Sequence, residues 1–471
     1  MRIKEIIKSV KLPARASVYY LAASILGKII NFILIPFSTR LMSSEEYGQL
    51  SLYMALLGGA SVICSAFSSS SAVYKGIKDH DENKSEYIKS VLWTSWGFSV
   101  IICILLFAFS PLLALKGILY IPLALQIICD TTIAVAMCSG RFYYQYKRVV
   151  VITVISVLLP PTLSIIILKT WGGGYLARIF SLLTVSVCLA IYCYVNILKT
   201  DSRTSIENVK YIVKNSIPLL PHTASSAFLV QADKLIITSL LGAAALAKYS
   251  VVYSLGMALQ FTVTSISSAL SPWLIRRLEA RDEEKIRRLI FPMALGYFAL
   301  SVCLIAIAPE AMKILAPPEY SDALPSLVPI ALSTPFYFLS TVATVGLIQS
   351  GKGGFSIIIS CINAVLCIGL NYSLIGSLGF LGAGIVNLVC HAVSAMLSIY
   401  MLGKFGHKRF ISSRWVAMPF LLSGVLGLLI YGFSDSIAPR VALLCLPAII
   451  LIYCMMRVGS LVIEKDGKAP S

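Results

Sequence analysis

Charged residues are scarce in this chain, and acidic residues are the scarcest. Of its 471 residues, 13% are charged and 58% are hydrophobic. A soluble domain cannot cover its surface with so few charges, and no polar stretch of domain length interrupts the apolar runs. The chain has 21 acidic residues against 39 lysines and arginines, which gives a formal net charge of +18. The composition excludes an ordinary soluble protein and indicates an integral membrane protein.

Several sequence signatures are absent, and each absence excludes a class of protein. There is no Walker A sequence, which argues against an ATP-driven pump. The 12 cysteines lack metal-ligand spacing and lie mostly in apolar runs, so we predict no metal site and no disulfide framework. No RNA-binding motif accompanies the basic residues, so we predict no nucleic-acid partner. Neither a soluble nucleotide-sugar domain nor a large outer loop is present, so the sequence favours a transporter without cofactors over an enzyme.

Apolar runs of about 20 residues, the length needed to cross the hydrocarbon, recur along the whole chain. We predict an all-α integral membrane protein with about fourteen transmembrane helices. The predicted spans are 16–37, 48–70, 91–113, 118–139, 149–168, 175–196, 216–241, 249–270, 290–308, 324–348, 355–375, 380–402, 415–433 and 441–459.

Basic residues alternate between the loops in the way that sets membrane orientation. Most odd-numbered loops hold one lysine or arginine, whereas the even-numbered loops are rich in them. Among the basic residues of the even-numbered loops are Lys75, Lys78, Lys84, Lys89, Arg141, Lys147, Arg148, Lys199, Arg203, Lys210, Lys214, Arg276, Arg277, Arg281, Lys285, Arg287, Arg288, Lys404, Lys408, Arg409 and Arg414. This alternation predicts that both termini lie in the cytoplasm.

The chain contains a weak internal repeat. At an offset of about 200 residues, Leu41–Met42 aligns with Leu241–Gly242 and Tyr53 aligns with Tyr253. The aligned positions lie six predicted helices apart, so the two halves would share one orientation, as in transporters with parallel halves. We predict an interfacial amphipathic segment, two six-helix bundles, and a last segment with helices 13 and 14 and a cytoplasmic tail (1–14, 15–200, 201–410 and 411–471).

Lys28, Lys234 and Arg178 lie within predicted spans, where a charge is costly and requires an explanation. Lys28 lies near the middle of span 1, roughly 13 to 18 Å from either helix end, too far for its side chain to reach the interface easily. It faces a wet cavity, forms a structural ion pair, or marks a misplaced span boundary. Lys234 in span 7 and Arg178 at the start of span 6 lie closer to an interface and can extend towards it.

Carboxylates and other polar side chains in the spans have two interpretations. Asp130 in span 4 and Asp233 in span 7 either couple transport to an ion or form salt bridges between helices. His222 either carries a proton or packs between helices. The amides of Asn31 and Gln231 either line a cavity or form hydrogen bonds between helices.

Three segments resemble the signatures of Wzx-type O-antigen and capsule flippases. The first is the run from Ile33 to Leu41, followed by Glu45–Gly48. The second is Asp233–Ile237, which is followed by Leu241–Gly242. The third comprises Pro318-Glu319-Tyr320, Gly351-Lys352, Leu370-Asn371 and Gly379-Phe380-Leu381-Gly382-Ala383-Gly384. The resemblance covers nearly the whole chain and identifies it as a member of the polysaccharide-transport branch of the MOP exporter superfamily, which also includes MurJ and MATE proteins.

This resemblance implies a V-shaped pair of six-helix bundles around a central cavity, with two extra helices. It implies a flippase of the bacterial inner membrane that moves undecaprenyl-diphosphate-linked oligosaccharide, an O-antigen or capsule repeat unit, from the cytoplasmic to the periplasmic leaflet. The expected partners are the lipid-linked glycan, the bilayer, the polysaccharide polymerase and the chain-length regulator. Cationic cavity residues would hold the diphosphate. The candidate substrate-binding residues are Lys28, Lys234, Arg178, Asn31 and Gln231, and the candidates for proton or sodium coupling are Asp130, Asp233 and His222.

Two alternatives share parts of this pattern. A MATE-like multidrug or metabolite antiporter would have the same fold, although exporters of cations need several cavity carboxylates and only Asp130 and Asp233 lie deep in predicted spans. A membrane-embedded polysaccharide polymerase would need a larger outer loop than any in this chain.

Overall fold

A computed structural model describes residues 12–68, 70–79, 83–143, 145–170, 173–198, 204–405, 413–432 and 444–463. Within these ranges the regular structure is entirely helical and contains no strand, which confirms the predicted all-α class. The chain divides by its internal contacts into two units, Met1–Ala247 (unit 1) and Lys248–Ser471 (unit 2).

The described part of the chain contains sixteen α-helices. The first nine are α1 Leu12–Leu41, α2 Ser44–Ser68, α3 Ser70–Asp79, α4 Lys84–Ala108, α5 Tyr120–Phe142, α6 Tyr146–Thr170, α7 Gly174–Leu198, α8 Ile206–Ser216 and α9 Leu220–Leu241. The remainder are α10 Ala243–Glu279, α11 Glu283–Leu315, α12 Leu327–Gln349, α13 Gly353–Leu378, α14 Phe380–Lys404, α15 Ser413–Gly432 and α16 Cys445–Ile463.

Each of the fourteen predicted spans coincides with one of these helices, while α3 and α8 are additional. Ten helical stretches in the described chain are long and apolar enough to cross a membrane, which makes the protein a multi-pass membrane protein. The total of fourteen crossings stays a prediction, because α1, α10, α15 and α16 are not among the ten. The predicted interfacial segment 1–14 lies almost wholly outside the described residues, which begin at Leu12.

Unit 1 includes the helix of predicted span 7, because α9 packs along α2. A Cβ atom on Gly48 would lie 1.9 Å from the carbonyl oxygen of Ala243, so only glycine permits this approach. The side chain of Gln231 lies directly over Gly58, because a Cβ atom on Gly58 would lie 2.9 Å from its Nε2 atom. The packing boundary after Ala247 differs from the boundary at 200 that the repeat predicts, and the repeat itself stays a prediction.

The segment between predicted spans 6 and 7 contains a helix, α8, where the sequence suggests only a polar loop. Its Ser205 N-cap accepts a hydrogen bond from the backbone of Glu207 at 3.2 Å. On its inner face Ile212 is buried in the core of unit 1, and Asn208 donates to Glu86 of α4 at 3.2 Å. Tyr211 donates to Asp79 of α3. The connection is therefore fixed to unit 1 along α8, while residues 199–203 lie outside the described ranges.

Unit 2 has an apolar core formed by α10, α11, α12 and α14. Its fully buried members include Val263, Ile290, Phe338 and Leu347. α15 and α16 pack against α11 and so belong to this unit rather than forming a separate one.

Candidate functional site

A carboxylate with two hydrogen-bond donors lies inside unit 1, between α5 and α7. Asp130 Oδ1 accepts from Gln126 Nε2 at 2.8 Å and from Ser186 Oγ at 3.2 Å. Gln126 Nε2 also donates to Ser186 Oγ at 2.6 Å, which closes a triangle. The spacing of Gln126 and Asp130 places both on one face of α5. The triangle holds a titratable group within the membrane span and can serve a proton or a small cation.

Arg178 lies on the second turn of α7 and is only 9% exposed, so its guanidinium is buried rather than extended to the interface. Its Nη2 donates to Asn31 Oδ1 at 3.5 Å, and Asn31 is oriented by its own hydrogen bond to the Gly27 carbonyl at 3.0 Å. Nη1 has no hydrogen-bond partner among the described residues. Because arginine stays charged and a buried unpaired charge is costly, this position is suited to bind an anion.

The N-terminus of α7, one turn before Arg178, is already occupied by a carboxylate. Gly174 begins the helix with φ +50°, and a Cβ atom there would lie 1.9 Å from Glu46 Oε1. Glu46 also caps α2, because its Oε2 accepts from the backbone of Ser43 at 3.0 Å. A negative charge is stabilised at this helix end. The partial positive charge at this helix end is therefore compensated by the Glu46 carboxylate. Nη1 of the Arg178 guanidinium, in contrast, has no hydrogen-bond partner among the described residues.

Gln231 and Lys234 form a second polar pair on α9. Lys234 Nζ donates to Gln231 Oε1 at 2.8 Å, one turn apart on the helix. Asp233 is 6% exposed and its Oδ1 accepts from the backbone nitrogen of Lys234 at 2.8 Å. Lys234 itself is half-buried, so its ammonium group is placed in the interior of unit 1 without being sealed there.

Two other predicted site residues are not placed in these clusters. His222 is exposed near the start of α9. Lys28 lies within α1, one turn before Asn31, but its side chain lies outside the described residues. Its role in a cavity stays a prediction.

The structure therefore pairs Arg178 with Asn31 and Lys234 with Gln231, and it places Asp130 in a separate cluster. All of these residues belong to unit 1. Sequence reasoning missed Ser186, because a serine in an apolar helix carries no signal of its own until its neighbour on another helix is known.

Comparison with known proteins identifies the family. The model of the polysaccharide biosynthesis protein family matches residues 14–278, more than half of the chain. The MatE family model matches residues 218–373. A probable low-salt glycan biosynthesis flippase, Agl15 of Haloferax volcanii, is 24% identical in an alignment 445 residues long that covers 90% of this chain and 90% of Agl15. These relatives are flippases or transporters rather than enzymes.

Solved structures agree on the fold. The lipid II flippase MurJ in an inward closed conformation gives a TM-score of 0.68 at 13% identity, over 95% of this chain and 99% of that one. An inward-facing multidrug resistance MATE family transporter gives a TM-score of 0.66 at 15% identity, over 83% of this chain and 98% of that one. At these identities the likeness shows the fold alone. The chain therefore belongs to the polysaccharide biosynthesis protein family and has the fold of the MOP superfamily, as the resemblance to its polysaccharide flippases predicts.

Proposed function

We propose that the protein is a flippase for lipid-linked oligosaccharides. It would move an undecaprenyl-diphosphate-linked repeat unit from the cytoplasmic to the periplasmic leaflet of the inner membrane, where a polymerase would use it. The observation that carries the proposal is the buried guanidinium of Arg178, whose Nη1 lacks a partner in the described chain. The named activity of Agl15 as a glycan flippase supports it.

The chemistry of such a substrate matches the groups in unit 1. A diphosphate is anionic and cannot cross hydrocarbon alone, and a guanidinium can hold its oxygens with two parallel hydrogen bonds. The half-buried ammonium group of Lys234 would add a second cation, and Lys28 a third. The glycan needs a wet path, while the polyprenyl chain stays in lipid. Alternating access of the two halves would then release the substrate on the other side.

We assign ion coupling to the Asp130 triangle. Its carboxylate has two donors within 3.2 Å, and Gln126 Oε1 has no donor in the described chain. A proton or a sodium ion would complete this arrangement. Asp233 and His222 are the further candidates.

Gene deletion followed by complementation tests the function. The deletion mutant should lose its surface glycan and accumulate the lipid-linked repeat unit on the cytoplasmic side, and the intact chain should restore both. Normal surface glycan in the mutant, without accumulation, would rule the proposal out.

The Arg178→Gln variant tests the anion site. We expect glycan display to fall at least tenfold with unchanged protein abundance, since only the charge for the diphosphate is removed. Arg178→Lys should keep part of the activity because the charge remains. The matched control is Arg288→Gln, which removes an exposed arginine paired with Glu284 at 2.5 Å and should leave display unchanged. Equal display by Arg178→Gln and wild type would refute the assignment of Arg178.

A MATE-type exporter is the second candidate, because the MatE model matches residues 218–373. This function predicts that the deletion mutant becomes more sensitive to cationic drugs while its surface glycan stays normal. The flippase function predicts that the deletion mutant loses its surface glycan while its sensitivity to cationic drugs stays unchanged.

A further inference from the structure

A half-buried arginine at the surface of unit 1 contacts an aromatic ring but has no counter-ion in the described chain. Arg148 lies in the first turn of α6, and its Cζ atom lies 5.5 Å from the ring centroid of Tyr192 on α7. Its Nε atom is closed off from solvent and has no hydrogen-bond acceptor. The side chain forms no ion pair or hydrogen bond with any described residue, so its two terminal nitrogens remain available as donors.

Arg277 of unit 2 has a similar ring contact, but its charge is neutralised. Its Cζ atom lies 5.9 Å from the Trp273 ring, and its Nη1 atom lies 3.3 Å from Asp282 Oδ2. Among the described residues, Arg148 has no such carboxylate. Because a charge that is partly removed from water is costly without a counter-ion, the position of Arg148 favours an anion supplied from outside the chain.

Arg148 lies at the depth where lipid headgroups are expected. α6 begins at Tyr146, and the predicted span begins at residue 149. The predicted orientation puts this end of α6 at the cytoplasmic leaflet. Tyr192 is 48% exposed, and exposed tyrosine rings favour the boundary between headgroups and acyl chains. The anions that are abundant at this depth are the phosphate groups of lipids.

The surface next to the guanidinium, towards the membrane interior, is apolar and belongs to both helices. α6 and α7 are consecutive, packed and antiparallel, and the contact between Arg148 and Tyr192 sets their register. Val151 and Ile155 follow Arg148 at helical spacing, and Cys188 precedes Tyr192 by one turn. All three are exposed. An acyl chain that extends from a headgroup at Arg148 would lie along these side chains.

The charge of this surface favours an anionic lipid over a zwitterionic one. Lys147 is exposed beside Arg148, and neither residue forms an ion pair with a carboxylate of the described chain. A guanidinium can donate two parallel hydrogen bonds to phosphate oxygens. A choline headgroup would bring a further cation to this surface, whereas phosphatidylglycerol brings a net negative charge.

A ligand that bridges α6 and α7 would also stabilise the helices around the Arg178 site. α7 carries Arg178, and α6 packs along α1, which carries Asn31. At that packing contact a Cβ atom on Gly27 would lie 3.0 Å from Val157 Cγ2. Holding α6 against α7 therefore restricts the separation of the helices that bring Asn31 and Arg178 together.

We propose that Arg148, Tyr192 and the exposed seam between α6 and α7 bind an anionic phospholipid of the cytoplasmic leaflet. The phosphate contacts the terminal nitrogens of Arg148, and the Tyr192 ring supports the guanidinium. One acyl chain follows Val151 and Cys188. This phospholipid site belongs to unit 1 alone, and its test does not depend on the flippase function.

Thermal unfolding of the full-length protein in a neutral detergent tests the site. Dioleoyl phosphatidylglycerol should raise the melting temperature of wild type by at least about 4 °C, because a ligand of the folded state stabilises it. Dioleoyl phosphatidylcholine should give less than half of this shift. Inorganic phosphate should give none, because it has no acyl chain to lie along the seam. An equal shift with either of these two probes would overturn the proposal.

Mass spectrometry of intact protein–lipid complexes tests the role of Arg148. Arg148→Gln should need an at least fivefold higher concentration of phosphatidylglycerol for half-occupancy than wild type. The matched control is Lys147→Gln, which removes the neighbouring exposed cation and should stay within about twofold of wild type. Equal affinities of Arg148→Gln and Lys147→Gln would show general attraction to a basic surface and would overturn the proposal.

A second pair of variants keeps the arginine and changes the ring beneath it. Tyr192→Phe retains the aromatic face and should bind phosphatidylglycerol as wild type does. Tyr192→Leu removes the support of the guanidinium and should weaken binding about threefold. This pair tests the site even if Arg148→Gln does not fold. Wild-type affinity in Tyr192→Leu would overturn the proposed site.

Discussion

Units 1 and 2 differ in the charge of their interiors. Among the described residues, unit 1 buries Lys89, Arg178 and Asp233, and it holds Asp130 and Lys234 half-buried. The buried polar residues of unit 2 are neutral: Gln260, Ser267, Ser301, Ser326, Ser333, Thr334, Asn363, Asn371 and Ser398. The difference indicates that charge chemistry is concentrated in unit 1, while unit 2 contributes neutral hydrogen-bonding groups.

The largest loss of stability is expected when a carboxylate is placed inside unit 2. Asn363 is 1% exposed and donates to Ser394 Oγ. Asn363→Asp should destabilise the protein by about 3 kcal/mol, because no lysine or arginine in the described part of unit 2 is buried and could pair with the new carboxylate. Thermal unfolding in detergent, followed by size-exclusion chromatography, measures the loss. Unchanged stability would show that the interior of unit 2 also accepts charge.

Removing a carboxylate from the interior of unit 1 should leave the stability of the protein unchanged and impair transport. Asp130→Asn keeps the shape and an acceptor oxygen for Gln126 and Ser186, so abundance should stay normal. Display should fall about tenfold if the carboxylate carries the coupling ion, which corresponds to about 1.4 kcal/mol. A variant that transports normally at every pH and sodium concentration would remove Asp130 from coupling.

The charges that unit 2 does have lie near its surface, and one of them caps α11. Asp282 Oδ1 accepts from the backbone of Lys285 at 3.3 Å, so Asp282→Ala should cost about 1 kcal/mol. The hydrogen bond from the Lys285 side chain lowers the pKa of Asp282. The stabilisation should therefore be complete above about pH 4 and should decline as pH falls through the lowered pKa.

Comparing wild type with Asp282→Ala at neutral and acidic pH checks the sign of this dependence. The difference in melting temperature should narrow on acidification. A difference that grows at low pH would contradict a lowered pKa.

The smallest effect is expected for an exposed ion pair of unit 2. Lys248 Nζ lies 2.5 Å from Asp322 Oδ2, whose side chain is 63% exposed. Lys248→Met should change stability by less than about 0.5 kcal/mol, because solvent and salt screen such pairs. A loss of several kcal/mol would show that surface charge matters as much in unit 2 as buried charge does in unit 1.

The helices could be predicted from the sequence because apolar runs of membrane length recur with charged loops between them. All fourteen predicted spans coincide with a helix. The amphipathic helix α8 was not predicted, because its short apolar face can be interpreted only when its buried neighbours on α4 are known. The grouping of α9 with unit 1 depends on its packing along α2, which no local pattern reveals.

Prediction of the candidate site was more limited. Costly charges in apolar helices identified Arg178, Asp130 and Lys234 as residues to examine, and their roles stay predictions. Their partners required the register between helices: Asn31 for Arg178, and Ser186 for Asp130. The side chain of Lys28 lies outside the described residues, so the prediction for it is untested.

The packing of α9 on α2 also bears on how the chain is made. When residue 200 has left the ribosome, the glycines at positions 58 and 59 still lack the Gln231 side chain that later covers them. The first unit is complete only after the seventh predicted span has been inserted, so a nascent chain stopped at 200 would leave the surface of α2 at these glycines open to lipid or to insertion factors. This surface is covered only after α9 has left the ribosome and packed along α2.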